Sequence, residues 1–249
     1  MHQQTMMQVI NRYWAQKLNC DEVQIASPGI SIVPKIDKTR LNSDSIFIFK
    51  GRFASVLKVP EFYIGFVIPA VNNIPKLVGV SGKRLMALIR SEHLSVNLQS
   101  IFYDYYLPLS NFRVHHPDNN FVIRRLSVED RGSLNALFCE CRPEEVEIAD
   151  ISLNDPAVFG CYNAKGLVSV ASSLLINEAI ADVKFLTHPA NRGKGLGKSV
   201  LSALCEWGMD QGYIMRFHGC PGNSSAAGLV RGIGFMKYHT LENLEVSWV

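Results

Sequence analysis

Residues 187–198 read Thr-His-Pro-Ala-Asn-Arg-Gly-Lys-Gly-Leu-Gly-Lys, and no other segment of this 249-residue chain restricts the fold as strongly. An apolar run ends at Thr187, glycines 193, 195 and 197 alternate with Lys194 and Leu196, and the amphipathic run SVLSALCEWG starts at Ser199. This reads as a strand, a glycine-rich loop and a helix from about 198 to 211. A further strand-like run follows at 213–218. Two strands joined through a helix are expected to be parallel neighbours, because the helix supplies the crossover.

The loop also suggests chemistry. Glycines let backbone N–H groups approach a ligand without side-chain obstruction. The helix start adds unsatisfied donors and the positive end of a dipole. Arg192, Lys194 and Lys198 add cations. Together these favour a phosphate or pyrophosphate. The other reading is a helix-entry turn with no ligand, which has little need of three alternating glycines among three cations. Two nucleotide-binding patterns fail. A P-loop ending in Gly197-Lys198-Ser199 would need Gly at 192, where Arg stands, and the dinucleotide fingerprint would need Gly at 198, where Lys stands.

The remaining sequence organises around this segment. Before it, residues 121–126 read as a strand, and Ser127 three residues ahead of Asp130 signals a helix start. Pro143-Glu144-Glu145 opens another helix, and strands follow at 158–162, 167–176 and 179–187. After it come a helix at 224–233, ended by Gly234, and a strand at 237–248. The order from 121 onward is β-α-α-β-β-β-loop-α-β-α-β. The polar, turn-rich stretch 112–120 marks an expected boundary, dividing the chain into residues 1–117 and 118–249. The first part reads as an α/β domain: an amphipathic helix through Met6, Ile10, Tyr13 and Trp14, strands at 30–33, 45–49, 53–59 and 99–107, and a short helix at 83–90.

Composition excludes several classes. Hydrophobic residues make up 47% of the chain and charged residues 19%, which excludes wholesale disorder. A net charge of +3 is too small to argue for nucleic acid. No apolar run approaches the roughly 20 residues that cross a bilayer, and the N-terminus lacks a signal-peptide pattern, so neither a membrane nor an export route is expected. Six scattered cysteines read as reduced thiols in a cytoplasmic protein, and no set of ligands stands at metal spacing.

Arg-x-x-Gly-x-Gly, here Arg192 to Gly197, resembles the coenzyme-binding motif of the GNAT superfamily of acyl-CoA-dependent N-acyltransferases. Pro189 upstream and the helix behind the loop extend the resemblance, as do Asn223, Ala226, Leu229 and Gly234-Phe235. It covers roughly residues 121–249. The implied fold class is α/β (α+β): a mixed, splayed sheet flanked by helices, with the two parallel strands parting at their C-terminal ends. The implied cosubstrate is acetyl-CoA, with no metal. Backbone groups of Phe185, Leu186 and Thr187 would pair with the pantetheine arm. Arg192 and the N–H groups of Gly193, Lys194, Gly195, Leu196, Gly197 and Lys198 would hold the pyrophosphate, and Asn223 would contact the coenzyme near the second splayed strand.

The pattern breaks where proton transfer is concerned. The family's usual tyrosine position is occupied by Val230, and the usual glutamate position by Ala181. Three substitutes lie nearby: Asp182, on the opposite face of its strand unless a bulge intervenes; Glu178, at the strand start; and His218, ending the partner strand. The expected function is transfer of an acetyl or short acyl group to the primary amine of a small molecule. The alternative is a catalytically degenerate CoA-binding module acting as a sensor or structural partner. Residues 1–117 carry no such motif; one reading makes them a degenerate GNAT-like half that supplies a lid or a homodimer surface.

Overall fold

The apolar spacings of the sequence become helices and strands in the computed structural model, which describes residues 3–35, 45–75, 79–89 and 94–248. Contacts divide the chain into two units that are not contiguous in sequence. One is built from Tyr105–His218 and Asn223–Met236, the other from Gln4–Asp104, Gly219–Gly222 and the residues from Lys237 onward.

The glycine loop belongs to the first of these. Its strands are β5 (Val122–Arg125), β6 (Ala157–Asn163), β7 (Gly166–Leu175), β8 (Ile180–Thr187) and β9 (Ile214–Gly219), in the spatial order β9-β8-β7-β6-β5. β5 to β8 pair antiparallel in turn, as short connections permit. β8 and β9 are parallel, joined through the loop and helix α7 (Leu196–Asp210). Helices α5 (Arg131–Cys139) and α6 (Pro143–Ala149) lie between β5 and β6 in the chain, and α8 (Ser224–Ile233) follows β9. Leu134 and Leu137 of α5, Ala149 of α6, and Val158, Val170 and Leu186 of the strands bury together, so one face of the sheet is closed by these two helices. α8 ends at Gly234, whose positive φ completes the helix stop expected there.

The second unit contains α1 (Gln3–Leu18), α2 (Glu22–Ala26), α3 (Ile64–Asn72) and α4 (Gly82–Leu88). Its strands are β1 (Gly29–Lys35), β2 (Ser45–Lys50), β3 (Ala54–Pro60), β4 (Leu94–Tyr106) and β10 (Met236–Trp248), in the order β1-β3-β2-β10-β4. β1 is parallel to β3, while β2 is antiparallel to both β3 and β10. Ile46, Ile48, Leu57, Val59, Val67 and Leu244 are among its core residues.

The β-α-α-β-β-β-loop-α-β-α-β order from residue 121 onward is the observed order. The differences are local. The strand expected from Ala179 starts at Ile180, because Asn177 Oδ1 accepts from the N–H groups of both Ala179 and Ile180 and holds the preceding turn. α7 begins two residues before Lys198, directly after Gly195. In the second unit, the stretch punctuated by prolines 60, 69 and 75 contains a helix, α3, with Pro69 inside it. Proline removes a helical N–H, and burial of Val67, Ala70 and Val71 outweighs that local penalty. The helix expected over 83–90 is α4, capped by the Ser81 side chain; Arg90 lies outside the described residues.

Candidate active site: a parting strand pair and an uncapped helix

The ladder between β8 and β9 joins Ile180–Asp182 to Ile214–Arg216 and, among the described residues, goes no further. β8 continues to Thr187, paired on its other side with β7 through Ala171–Phe185, Val170–Leu186 and Ser169–Thr187. Residues 183–187 therefore keep one line of backbone groups that no strand of this unit pairs. Such groups form a ready template for an extended partner. Beside them the Ser169 hydroxyl donates to Leu186 O (3.2 Å) and shares a hydrogen bond with Thr187 Oγ1 (2.8 Å), which fixes the strand end.

The loop turns sharply out of this strand. The N–H of His188 donates to Val168 O, and His188 Nδ1 accepts from the Ala190 N–H, so this histidine serves the turn. Gly193 and Gly195 take φ values of 77° and 78°, and a side chain at either would meet no atom within 4 Å. These two are glycines for backbone conformation, with open space outside them. Gly197 has a different reason. A Cβ there would come within 2.9 Å of Thr187 Oγ1 and 3.0 Å of Leu229 Cδ1, so it lets α7 pack closely on β8 and α8.

Gly195 is the N-cap of α7 and has no side chain to satisfy the helix start. The first intrahelical bond runs from Ser199 N to Gly195 O, 3.0 Å. The N–H groups of Leu196, Gly197 and Lys198 have no acceptor within the helix. α8 differs, because Asn223 Oδ1 accepts from the Ala226 N–H at 3.1 Å and so caps its own helix. Of the three loop cations, Lys194 is exposed. Lys198 lies against Gly232, where an added Cβ would be 2.9 Å from its Nζ. Arg192 is tied down: its Nε donates to Thr187 O (3.1 Å) and its Nη2 to Glu145 Oε2 (2.9 Å).

The three proton-transfer candidates stand in different surroundings. Asp182 accepts from Arg216 through both carboxylate oxygens, with Nη2 to Oδ2 at 2.7 Å. Regular β7–β8 pairing through Leu174–Asp182 shows no bulge there, so Asp182 points to the face opposite Ala181. Glu178 is exposed in the turn before β8. His218 is exposed near the end of β9. Val230 and Ala181 are both fully buried.

Sequence reasoning passed over two residues that organise this site, Arg216 and Glu145. The signal for Arg216 was a cation in the apolar strand Ile-Met-Arg-Phe, since a buried guanidinium requires a partner. From the sequence, Glu145 is a first-turn acid of α6. It does fill that role through Arg142, yet it also reaches Arg192, 47 positions away. Among the described residues no group of three or more His, Cys, Asp or Glu is placed to hold a metal, and no helix is long and apolar enough to cross a membrane.

A family model described as "Acetyltransferase (GNAT) family" matches residues 124–235. No curated protein gives a significant match. Among solved structures, a GNAT-family acetyltransferase from Colwellia psychrerythraea superposes with a TM-score of 0.53 at 18% identity, covering 78% of this chain and 77% of that one. A GCN5-related N-acetyltransferase from Kribbella flavida gives 0.48 at 16%, covering 60% and 59%. An aminoglycoside N-acetyltransferase in complex with CoA gives 0.39 at 17%, covering 47% and 89%. The first of these carries the likeness in fold. With the parted parallel strands and the Arg192–Gly197 motif, the family match identifies residues 124–235 as a GNAT-family acetyltransferase domain.

Proposed function

We propose that this protein transfers an acetyl group from acetyl-CoA to the primary amine of a small molecule, with residues 118–249 carrying the chemistry. The observation that carries the reading is the open edge of β8 at residues 183–187, on the side where β9 has parted, leading into the uncapped start of α7. Groups at Phe185, Leu186 and Thr187 suit an extended amide-bearing arm. The N–H groups around Gly193, Lys194, Gly195, Leu196, Gly197 and Lys198, with the Arg192 guanidinium alongside, suit a pyrophosphate. The open space outside Gly193 and Gly195 fits a group of that bulk. The Asn223 side chain already accepts from the Ala226 N–H, so its contact with the coenzyme would be an additional one.

Bound acetyl-CoA supplies an activated acyl carbonyl. The chain holds it in line with the amine, and much of the rate comes from that proximity. A backbone N–H directed at the carbonyl oxygen would stabilise the charge that develops there. As the amine nitrogen bonds to the acyl carbon and the C–S bond breaks, the amine's proton would leave through water and the CoA thiolate would take a proton from solvent. Asp182 is engaged with Arg216, and Glu178 and His218 are solvent-exposed, which favours a water-relayed proton over a dedicated base. The rate should then rise with pH along the acceptor's own pKa. A profile with two amines of different pKa, on wild type and His218→Ala, tests this. Profiles that ignore the amine and lose about 10²-fold with His218→Ala would make His218 the base.

The buried Val230 and Ala181 favour a second reading, a CoA-binding module without turnover. Release of CoA thiol from acetyl-CoA across a panel of amines separates the two. Amine-dependent release supports transfer. CoA binding with no release from any amine supports the module.

A further inference from the structure

We propose that Glu145 is a positioning residue for the pyrophosphate loop, acting through Arg192; this rests on the reading that the loop holds CoA. The Arg192 guanidinium joins three parts of the fold. Its Nε is bonded to the carbonyl that ends β8, its Nη2 to Glu145 on α6, and its own backbone begins the Gly193–Gly197 turn. Glu145 is in turn fixed at the start of α6. Its Oε1 accepts from Arg142 Nη2 at 2.9 Å, and its Oε2 accepts from the Arg142 N–H at 3.4 Å. The two guanidiniums hold its carboxyl down at about 2, so it is charged throughout the neutral range.

A carboxylate beside a phosphate site looks unfavourable, and two effects compete. Coulomb repulsion of the incoming phosphate would make Glu145 a liability. Its grip on Arg192 makes it an asset, because a planar guanidinium recognises oxyanions only in the right orientation. Arg192 and Glu145 are both partly exposed, so solvent and salt weaken the repulsion. Orientation is not screened in this way. Without Glu145, a half-exposed arginine is free to sample many rotamers. Two arginines around one carboxylate also leave the cluster with a net positive charge toward the ligand.

Calorimetric titration of the full chain with CoA tests the proposal through a cycle of Glu145→Asp and Arg192→Ala. Aspartate keeps the charge but is one methylene too short to reach Arg192. In the wild-type background, Glu145→Asp should raise the Kd for CoA about tenfold. In the Arg192→Ala background it should change the Kd by less than about twofold, because the group it positions has gone. Glu145→Gln should also weaken binding. Unchanged affinity in Glu145→Asp, tighter binding in Glu145→Gln, or an equal loss in both backgrounds would overturn the role. A wild-type protein that shows no CoA binding would instead overturn the reading of the loop itself.

Discussion

The pair β1–β3 in the second unit and the pair β8–β9 in the first are both parallel, and the two behave differently. In the second unit β1 and β3 stay in register along their whole length, from Gly29–Ala54 to Lys35–Pro60. β3 is paired on both sides, by β1 and β2, while β1 is the edge strand of the sheet. In the first unit β8 and β9 share only the stretch ending at Asp182–Arg216, and β8 then runs on to Thr187. The connections differ as well. Between β1 and β3 the chain passes through β2, which is itself a neighbour in the sheet. Between β8 and β9 it passes through the glycine loop and α7. A pair that stays closed makes a core, whereas a pair that parts beside an uncapped helix leaves directed donors and acceptors for something else to bind.

The sharpest way to break this contrast is at the last rung. Arg216 and Asp182 form a largely buried ion pair where the ladder stops, a feature for which β1–β3 has no counterpart in its described pairing. Asp182→Ala leaves the guanidinium buried without this carboxylate and should cost about 3 kcal/mol in a denaturant titration. A replacement of both residues by leucine should recover most of that loss. Equal stability of wild type and Asp182→Ala would mean that the pair does not hold the fork.

Next in size, Gly195→Asp should raise the Kd for CoA by more than about 100-fold, since it places a β-carbon at φ 78° and a negative charge beside the phosphate. An unchanged Kd would remove the loop from the site. Val230→Tyr tests whether the family's usual proton donor can simply be restored. Val230 is fully buried, so the ring should overpack the helix and lower stability by about 2 kcal/mol. A variant as stable as wild type, with faster thiol release, would show that room for the donor exists. The smallest effect is expected for Lys194→Ala. This exposed and strongly hydrated cation should contribute about threefold to CoA affinity, read by calorimetry at low and high salt. A larger and salt-independent loss would place the lysine in direct contact.

The part of the fold readable from sequence was the part governed by local rules. Ser127 with Asp130, the Pro143 start, the glycine loop and the Gly234 stop each announce an element boundary within a few residues, so the element order from 121 onward was legible. What was not legible depends on distant pairs. Glu145 finds Arg192 and Asp182 finds Arg216 across 47 and 34 positions, and no periodicity encodes either. The pairing of Thr240 with Lys50, which brings the last strand to β2, is equally invisible locally. Pro69 shows the converse, because a residue that locally disfavours helix stands inside α3, where its neighbours are buried. Within the loop, three identical residues read alike in sequence. Only the fold separates Gly193 and Gly195, which serve the turn, from Gly197, which serves packing.

If the open edge of β8 and the start of α7 form one coenzyme site, amide hydrogen exchange with and without CoA reads it directly. Slower exchange is expected at Phe185 and Thr187, whose N–H groups face the open edge because the alternate ones, in line with His188 N–H to Val168 O, face β7, and from Gly193 to Lys198, with the β1–β3 amides unchanged. The amides between β1 and β3 are bonded in an unbroken ladder that lies in the other unit. CoA-dependent protection that spares both segments of the first unit, or that appears mainly in the second, would contradict it.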